Sequence, residues 1–197
     1  FIMQLKQLRN KNNEIIDGPL EIIPKIFHDD RGYFYETWNE NEFKIKVNSR
    51  IKFVQDNQSL SEKGTIRGLH YQLKPMSQGK LVRVTKGKVF DVIVDLREKS
   101  KTFSSWTSLI LNCDKKNQLW IPEGFAHGFL TLSEEAILEY KVTNFWSKDL
   151  ERTLLWNDEL ISINWPILEN NLDNPILSLK DNNGLRLNSL IEKEEVF

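Results

Sequence analysis

Residues 64–95, GTIRGLHYQLKPMSQGKLVRVTKGKVFDVIVD, decide how the chain is read. Short runs of strand-forming residues alternate there with Gly and Pro breaks, and a histidine, two arginines and several lysines sit among them. Alternate residues of a strand share a face. In a regular strand Arg67 and Leu69 would point one way, and Gly68 and His70 the other. A glycine inside a strand pattern marks a bend or a close approach of two backbones. A bend at Gly68 would bring Arg67 and His70 to one pocket.

The same punctuation extends outward. Strands are expected over residues 65–73, 80–86, 88–96, 106–111, 118–121, 126–131 and 136–144. Turn residues divide them at Gly87, 112–117, 122–124 and 133–135. That rhythm lacks the helical interludes of βαβ units and reads as an all-β sandwich or barrel. Upstream, residues 3–18 read as a weakly specified arm ending in a turn at Asp17-Gly18-Pro19. A short strand over 20–27 is interrupted by Pro24, and a turn over 29–32 leads into the strand formers of 33–38. Residues 39–46 suit a short helix capped by Asn39, and 51–60 return to strand with Gln55 and Asn57 on one face. Residues 148–180 carry no period, and 185–195 suit one short helix.

Composition sets bounds. A chain of 197 residues with formal charge −1 has no basic excess for general nucleic-acid binding. No apolar run approaches the ~18–20 residues of a membrane span, and no signal-peptide pattern is present. One cysteine, Cys113, forbids an internal disulfide and suits a reducing compartment. The expectation is a cytoplasmic protein with a single domain over 1–197, its core spanning about 20–181. Phe1 and Ile2, ahead of Met3, are set apart from the fold argument.

Several chemistries lack their signatures. The histidines are His28, in a polar turn, His70 and His127; no His-x-His pair exists, which argues against a transition-metal site and leaves oxygen ligation open. Cys113 lies in a polar loop, and there is no nucleophile elbow, P-loop or dinucleotide glycine fingerprint. Proton transfer remains, with His70, Lys80, His127 and Tyr140 as its candidate groups. By local sequence alone His70 also reads as a core histidine, Tyr140 as a barrel-lining aromatic and Lys80 as a solvated strand end.

Seven strings, taken together, go further: HDDRGYFYETW, FVQDNQSLSEKGTIRGLHYQ, QGKLVRVTKGKVFDVIVDLR, IPEGFAHGFLTLS, YKVT with Glu151 beyond it, WNDELISINWP and LSLKD. In order and spacing the chain resembles the dTDP-4-dehydrorhamnose 3,5-epimerase family from about residue 20 to 181. The resemblance implies a cupin-type jelly-roll barrel with a few short peripheral helices. It also implies a cofactor-independent, metal-free epimerase acting at C3 and C5 of a nucleotide-linked 4-keto-6-deoxyhexose in a rhamnose-forming pathway, and a homodimer with exchanged N-terminal strands.

Carried over position by position, it makes His70 the general base, Tyr140 the acid on the opposite face of the sugar, Asp181 the partner orienting His70, and Lys80 the group beside the C4 oxygen. Arg31, Glu36, Gln55, Asp56, Asn57, Arg67, His127, Glu151 and Lys180 would hold the nucleotide sugar. Phe27, Phe145 and Trp146 would stack on its base. The family's aromatic hydroxyls after the YKVT string are replaced by Phe145-Trp146, so stacking survives and a tyrosine hydrogen bond is lost. The usual proline of the next turn is replaced by Ser147-Lys148-Asp149. Two rivals stand beside this reading: a relative that inverts one carbon or moves the keto group, and a non-catalytic sugar-binding jelly roll.

Overall fold

The computed structural model describes residues 3–170 and 172–197; Phe1 and Ile2 lie outside them. In chain order the strands are β1 (Gln4–Arg9), β2 (Ile15–Ile23), β3 (Ile26–Asp29) and β4 (Gly32–Tyr35), then helix α1 (Glu40–Lys46). There follow β5 (Gln55–Glu62), β6 (Ile66–Gln72), β7 (Lys80–Lys86), β8 (Lys88–Asp95), β9 (Trp106–Asn112), β10 (Gln118–Ile121), β11 (Phe125–Thr131), β12 (Glu135–Val142) and β13 (Glu151–Thr153). Two short helices, α2 (Leu179–Asn182) and α3 (Leu187–Glu192), come last.

Two antiparallel sheets result, ordered β1-β2-β10-β7-β12-β5 and β13-β6-β11-β8-β9, with β3 and β4 forming a separate hairpin. Neighbours in each sheet are mostly distant in sequence, which is the jelly-roll pattern of crossing connections.

Period-two alternation sorts the side chains into three apolar clusters. Between the sheets lie Val82, Val84 and Leu138 of the first sheet against Val89, Ile93, Phe125 and Phe129 of the second. The other face of the second sheet presents Ile66, Leu69, Val92, Val94 and Leu130. It is covered by the C-terminal segment through Leu154, Ile161, Trp165, Leu187 and Leu190. The outer face of the first sheet is capped by α1, where Phe43 packs with Trp38, Phe53 and Trp120 at ring separations of 4.9, 5.8 and 5.2 Å. As expected, Asn39 caps α1, its side chain accepting from the Glu42 N–H.

The structure departs from the sequence reading in four places. Residues 3–18 are two paired strands, with the turn at residues 10–13 rather than at Asp17-Gly18-Pro19. Gln7 pairs with Leu20 and Leu8 with Ile16, so residues 17–19 form a bulge inside β2. That arrangement absorbs both the missing N–H of Pro19 and the positive φ of Gly18. The strand expected over 33–38 ends at Tyr35. His28 sits in β3 opposite Tyr33, not in a turn. The aperiodic stretch 148–180 contains β13 and the start of α2. Both are short and take their form from tertiary contacts, which periodicity does not register.

Gly68 does bend its strand. Arg67 pairs with Phe129 and His70 with His127, so three steps along β6 match two along β11. One extra residue therefore puts Arg67 and His70 on the same face. Gly68 has φ +125°, and a Cβ there would lie 2.5 Å from the Gly128 Cα and 2.8 Å from the His127 carbonyl oxygen. Only glycine fits. Gly68→Ala is expected to destabilise the protein by at least ~2 kcal/mol in chemical denaturation; a change within ~0.5 kcal/mol would show that the bulge tolerates a side chain.

Candidate active site

One end of the space between the sheets is polar. Inward positions place His70 and Gln72 of β6, Lys80 of β7, Tyr140 of β12, Gln55 and Asn57 of β5 and Glu151 of β13 around one cleft. Lys80, Val82 and Val84 share the inner face of β7, and Leu138 and Tyr140 that of β12, so the polar residues continue the rows that build the core.

His70 is held by Asp181, a residue 111 positions away, through a 2.5 Å contact from Nε2 to Oδ1. Backbone clips on either side of α2 make this possible. The Ile176 N–H donates to the Gly64 carbonyl, and the Ile66 N–H to the Ile176 carbonyl. Beyond the helix, the Leu155 N–H donates to Leu185 and the Leu185 N–H to Thr153. At Gly184 a Cβ would lie 2.9 Å from the Leu155 backbone, so the exit has no room for a side chain. α2 is thus fixed across the end of β6, with the Asp181 side chain only 5% exposed and that of His70 27%.

With Nε2 on the carboxylate, Nδ1 of His70 is the nitrogen left for the cleft. Burial lowers the His70 pKa below its ordinary value; Asp181 opposes that, while Lys180 and Lys80 reinforce it. Burial also pushes Asp181 upward, but its bonds to His70 and Ser178, with Lys180 nearby, hold it below the usual carboxylate range.

Lys80 is almost wholly buried and donates from Nζ to the His70 carbonyl oxygen at 3.1 Å. Burial depresses its pKa to about 8 against the pull of Glu151 and Asp91. Burial and the nearby Glu151 raise Tyr140 above its ordinary value, against Arg67, so its phenol stays protonated at neutral pH. An imidazole base, an ammonium group and a protonated phenol therefore share one cleft, the set that proton abstraction next to a ketone requires.

The remaining sequence candidates divide. Gln55 and Asn57 line the cleft and are joined by a 2.8 Å bond from Gln55 Nε2 to Asn57 Oδ1, and Trp146 lines its mouth. Lys180 pairs with Glu151 at 2.7 Å at the rim. Arg67 is anchored by Ser61 Oγ at 2.8 Å and the Leu60 carbonyl at 3.1 Å.

His127 lies behind the cleft, its Nε2 3.0 Å from both oxygens of the fully buried Asp91. Asp56 follows the opposite phase of β5 and pairs with Lys141 on the outer face. Glu36 lines a different pocket, below α1, and accepts from Asn39. Phe27 and Arg31 stand on the β3–β4 hairpin; Arg31 is paired with Asp29 and the Lys25 ammonium lies over the Phe27 ring. Phe145 is 60% exposed beside Trp146. Within one chain, then, Phe27, Arg31, Glu36, Asp56, Phe145 and His127 do not line the His70 cleft, and Arg67, although the bulge puts it on the His70 face, is turned to Ser61 and Leu60 and does not line it either.

Two residues were missed. Gln72 shares the His70 face two positions on. Its amide donates to the Met76 and Phe145 carbonyls and accepts from the Ser147 N–H at 2.6, 3.2 and 2.7 Å, pinning the loop that carries Trp146. Asp91 breaks the apolar run of β8 on an inward position. Period-two spacing from His70 points to the first, and a lone carboxylate in a buried strand to the second.

Residues 13–189 match the family model described as dTDP-4-dehydrorhamnose 3,5-epimerase. The chain belongs to that family. The dTDP-4-dehydrorhamnose 3,5-epimerase of Shigella flexneri is 54% identical over 161 residues, covering 82% of this chain and 86% of that protein. A crystal structure of the Legionella pneumophila dTDP-6-deoxy-D-glucose-3,5-epimerase with dTDP-4-keto-L-rhamnose superimposes with a TM-score of 0.87 at 41% identity, covering 98% of this chain and 97% of that one. The 3′-monoepimerase ChmJ of Streptomyces bikiniensis, solved with dTDP-quinovose, gives 0.85 at 27% identity, covering 92% and 89%. The fold is accordingly the cupin jelly roll of these epimerases.

Replacing Asp181 by Asn removes the charge that favours the His70 imidazolium. The imidazole titration followed by NMR should then move to lower pH than in the parent protein; a titration that stays in place would show that the carboxylate does not govern His70.

Proposed function

We propose that the chain epimerises a dTDP-linked 4-keto-6-deoxyhexose at C3 and C5, turning dTDP-4-dehydro-6-deoxyglucose into dTDP-4-dehydrorhamnose. The observation that carries this reading is the convergence of the His70–Asp181 pair, Lys80 and Tyr140 on one cleft. Family membership supports the same substrate class.

A proton on carbon beside a ketone is weakly acidic, and its loss leaves charge on the carbonyl oxygen. His70 removes the proton through Nδ1, and Asp181 stabilises the imidazolium that forms. A positioned base of this kind contributes roughly 10²–10⁴-fold. Lys80, charged below about pH 8, faces the enolate oxygen. Inversion requires the new proton to arrive on the other face, and Tyr140 supplies it. Repeating the cycle at the second carbon needs the same 4-keto group, because C3 and C5 both flank C4.

Gln55, Asn57, Arg67, Glu151, Lys180 and Trp146 hold the nucleotide sugar around this centre. Phe27 and Arg31 act from a second copy of the chain, reaching its cleft from the β3–β4 hairpin. β1, at the edge of its sheet, is the strand exchanged in that dimer. The reaction is placed in the cytoplasm, a reducing compartment that suits a chain with the single cysteine Cys113; among the described residues no helix is long and apolar enough to cross a membrane.

The test is turnover of dTDP-4-dehydro-6-deoxyglucose in deuterated water. Deuterium is expected at both C3 and C5 of the product, with His70→Ala reducing the rate at least ~10²-fold. Label at a single carbon would favour the one-carbon reading that the likeness to ChmJ keeps in view. No label at either carbon would leave a sugar-binding jelly roll.

A further inference from the structure

Asp181 has two carboxylate oxygens, and His70 takes only one. The other, Oδ2, accepts a hydrogen bond from the Ser178 hydroxyl at 2.9 Å. The same hydroxyl oxygen accepts from the Asp181 backbone N–H at 3.1 Å, so Ser178 caps α2 and grips the side chain of its third residue together. α2 is a single turn of four residues, too short to hold its own geometry in isolation. A carboxylate at its third position could swing about its side-chain torsions unless something fixed the far oxygen.

We infer that Ser178 is a positioning residue for the reaction, forming with Asp181 and His70 a three-membered chain in which its hydroxyl orients the carboxylate and tempers its hold on the imidazole. The inference rests on the reading of His70 as the base. A donor on Oδ2 draws electron density away from Oδ1 and so weakens its attraction for the imidazolium. Loss of the hydroxyl therefore has two separable effects. The carboxylate becomes a stronger acceptor, favouring protonated His70, and its orientation loosens. The other charged or titratable groups on the elements packed against His70 are Arg67 and Tyr71 on β6 itself, Lys180 on α2, Lys80 on β7, Tyr140 on β12, Glu151 and Arg152 on β13, and His127 on β11 with Asp91 behind it. Among the described residues none of them is hydrogen-bonded to Ser178 Oγ, whose partners are the Asp181 carboxylate and backbone N–H.

The test compares Ser178→Ala, Ser178→Gly and Ser178→Thr in the full chain by two readouts: the His70 titration by NMR, and the pH dependence of kcat/KM with the dTDP-4-keto sugar. Glycine is nearly as good a helix cap as serine, so Ser178→Gly keeps the helix start while losing the donor, and threonine keeps both. With Ala and Gly the His70 titration is expected to rise by ~0.5–1 pH unit. The acid limb of kcat/KM should move with it, and kcat should fall ~10-fold with KM little changed; Thr should restore all three.

An unmoved titration and acid limb in Ser178→Gly, whatever its stability, would overturn the inference and leave Ser178 a helix cap. A shifted titration with unaltered turnover would uphold the bond to the pair and count instead against His70 as the base, so the two ideas fail separately.

Discussion

The contact between His70 and Asp181 joins the two parts of the molecule that matter most. His70 belongs to β6, between β13 and β11 in the second sheet, and Asp181 to a one-turn helix far along the chain. For them to meet, the C-terminal segment must cross the outer face of that sheet, burying Leu154, Ile161, Trp165, Leu187 and Leu190 against Ile66, Leu69 and Val94. It must then turn in at the strand end. Burial of that apolar surface, at ~25 cal/mol per Å², is the force that places the carboxylate. The tail is tied down again at its end. The Tyr71 hydroxyl donates to the Glu195 carbonyl at 2.8 Å, Arg152 pairs with Glu195 at 2.7 Å, and the Phe197 N–H donates to the Leu96 carbonyl. Tyr71 and Arg152 point outward one residue from His70 and Glu151, so each strand carries its anchor and its site residue back to back.

A sheet sandwich normally fills its interior with aliphatic side chains, and here one end does so. At the other, desolvation works against every charge. Lys80 is nearly enclosed and its pKa falls to about 8, while the fully buried Asp91 is pushed upward despite His127 and Lys80. Such groups are tolerated because each has a partner: Lys80 the His70 carbonyl, Asp91 the His127 ring, His70 Asp181. Perturbed groups that converge in a cleft mark a functional centre more often than a stability device.

Much of this was legible in the sequence, for particular reasons. Short runs of strand formers divided by Gly, Pro and Asn turns marked β6, β7, β8, β11 and β12 as strands of an all-β fold, and Gly68 signalled the bulge that puts Arg67 on the same face as His70. Propensity at Asn39 marked α1. The arm over 3–18 was harder, because its polar composition hides a pair of strands whose bulge at Gly18-Pro19 mimics a turn. β13 and α2 have three and four residues, and their form comes from the sheet they lie on. The place of Asp181 was therefore open to family resemblance and closed to local pattern. Likewise, the outward phase of Asp56 follows from its neighbours Gln55 and Asn57, whereas the burial of His127 against Asp91 depends on a strand pairing that no spacing rule supplies.

Family membership fixes the substrate class to look for; the proposed chemistry asks for something narrower, two proton carriers working from opposite sides of one sugar ring. That is tested most directly with Tyr140→Phe, by following exchange and inversion separately in deuterated water. The variant is expected still to exchange the substrate's C–H with solvent deuterium, because His70 removes and returns the proton on its own face, while inversion falls by at least ~10²-fold. Inversion at the parent rate would contradict it, since the second proton would then come from elsewhere.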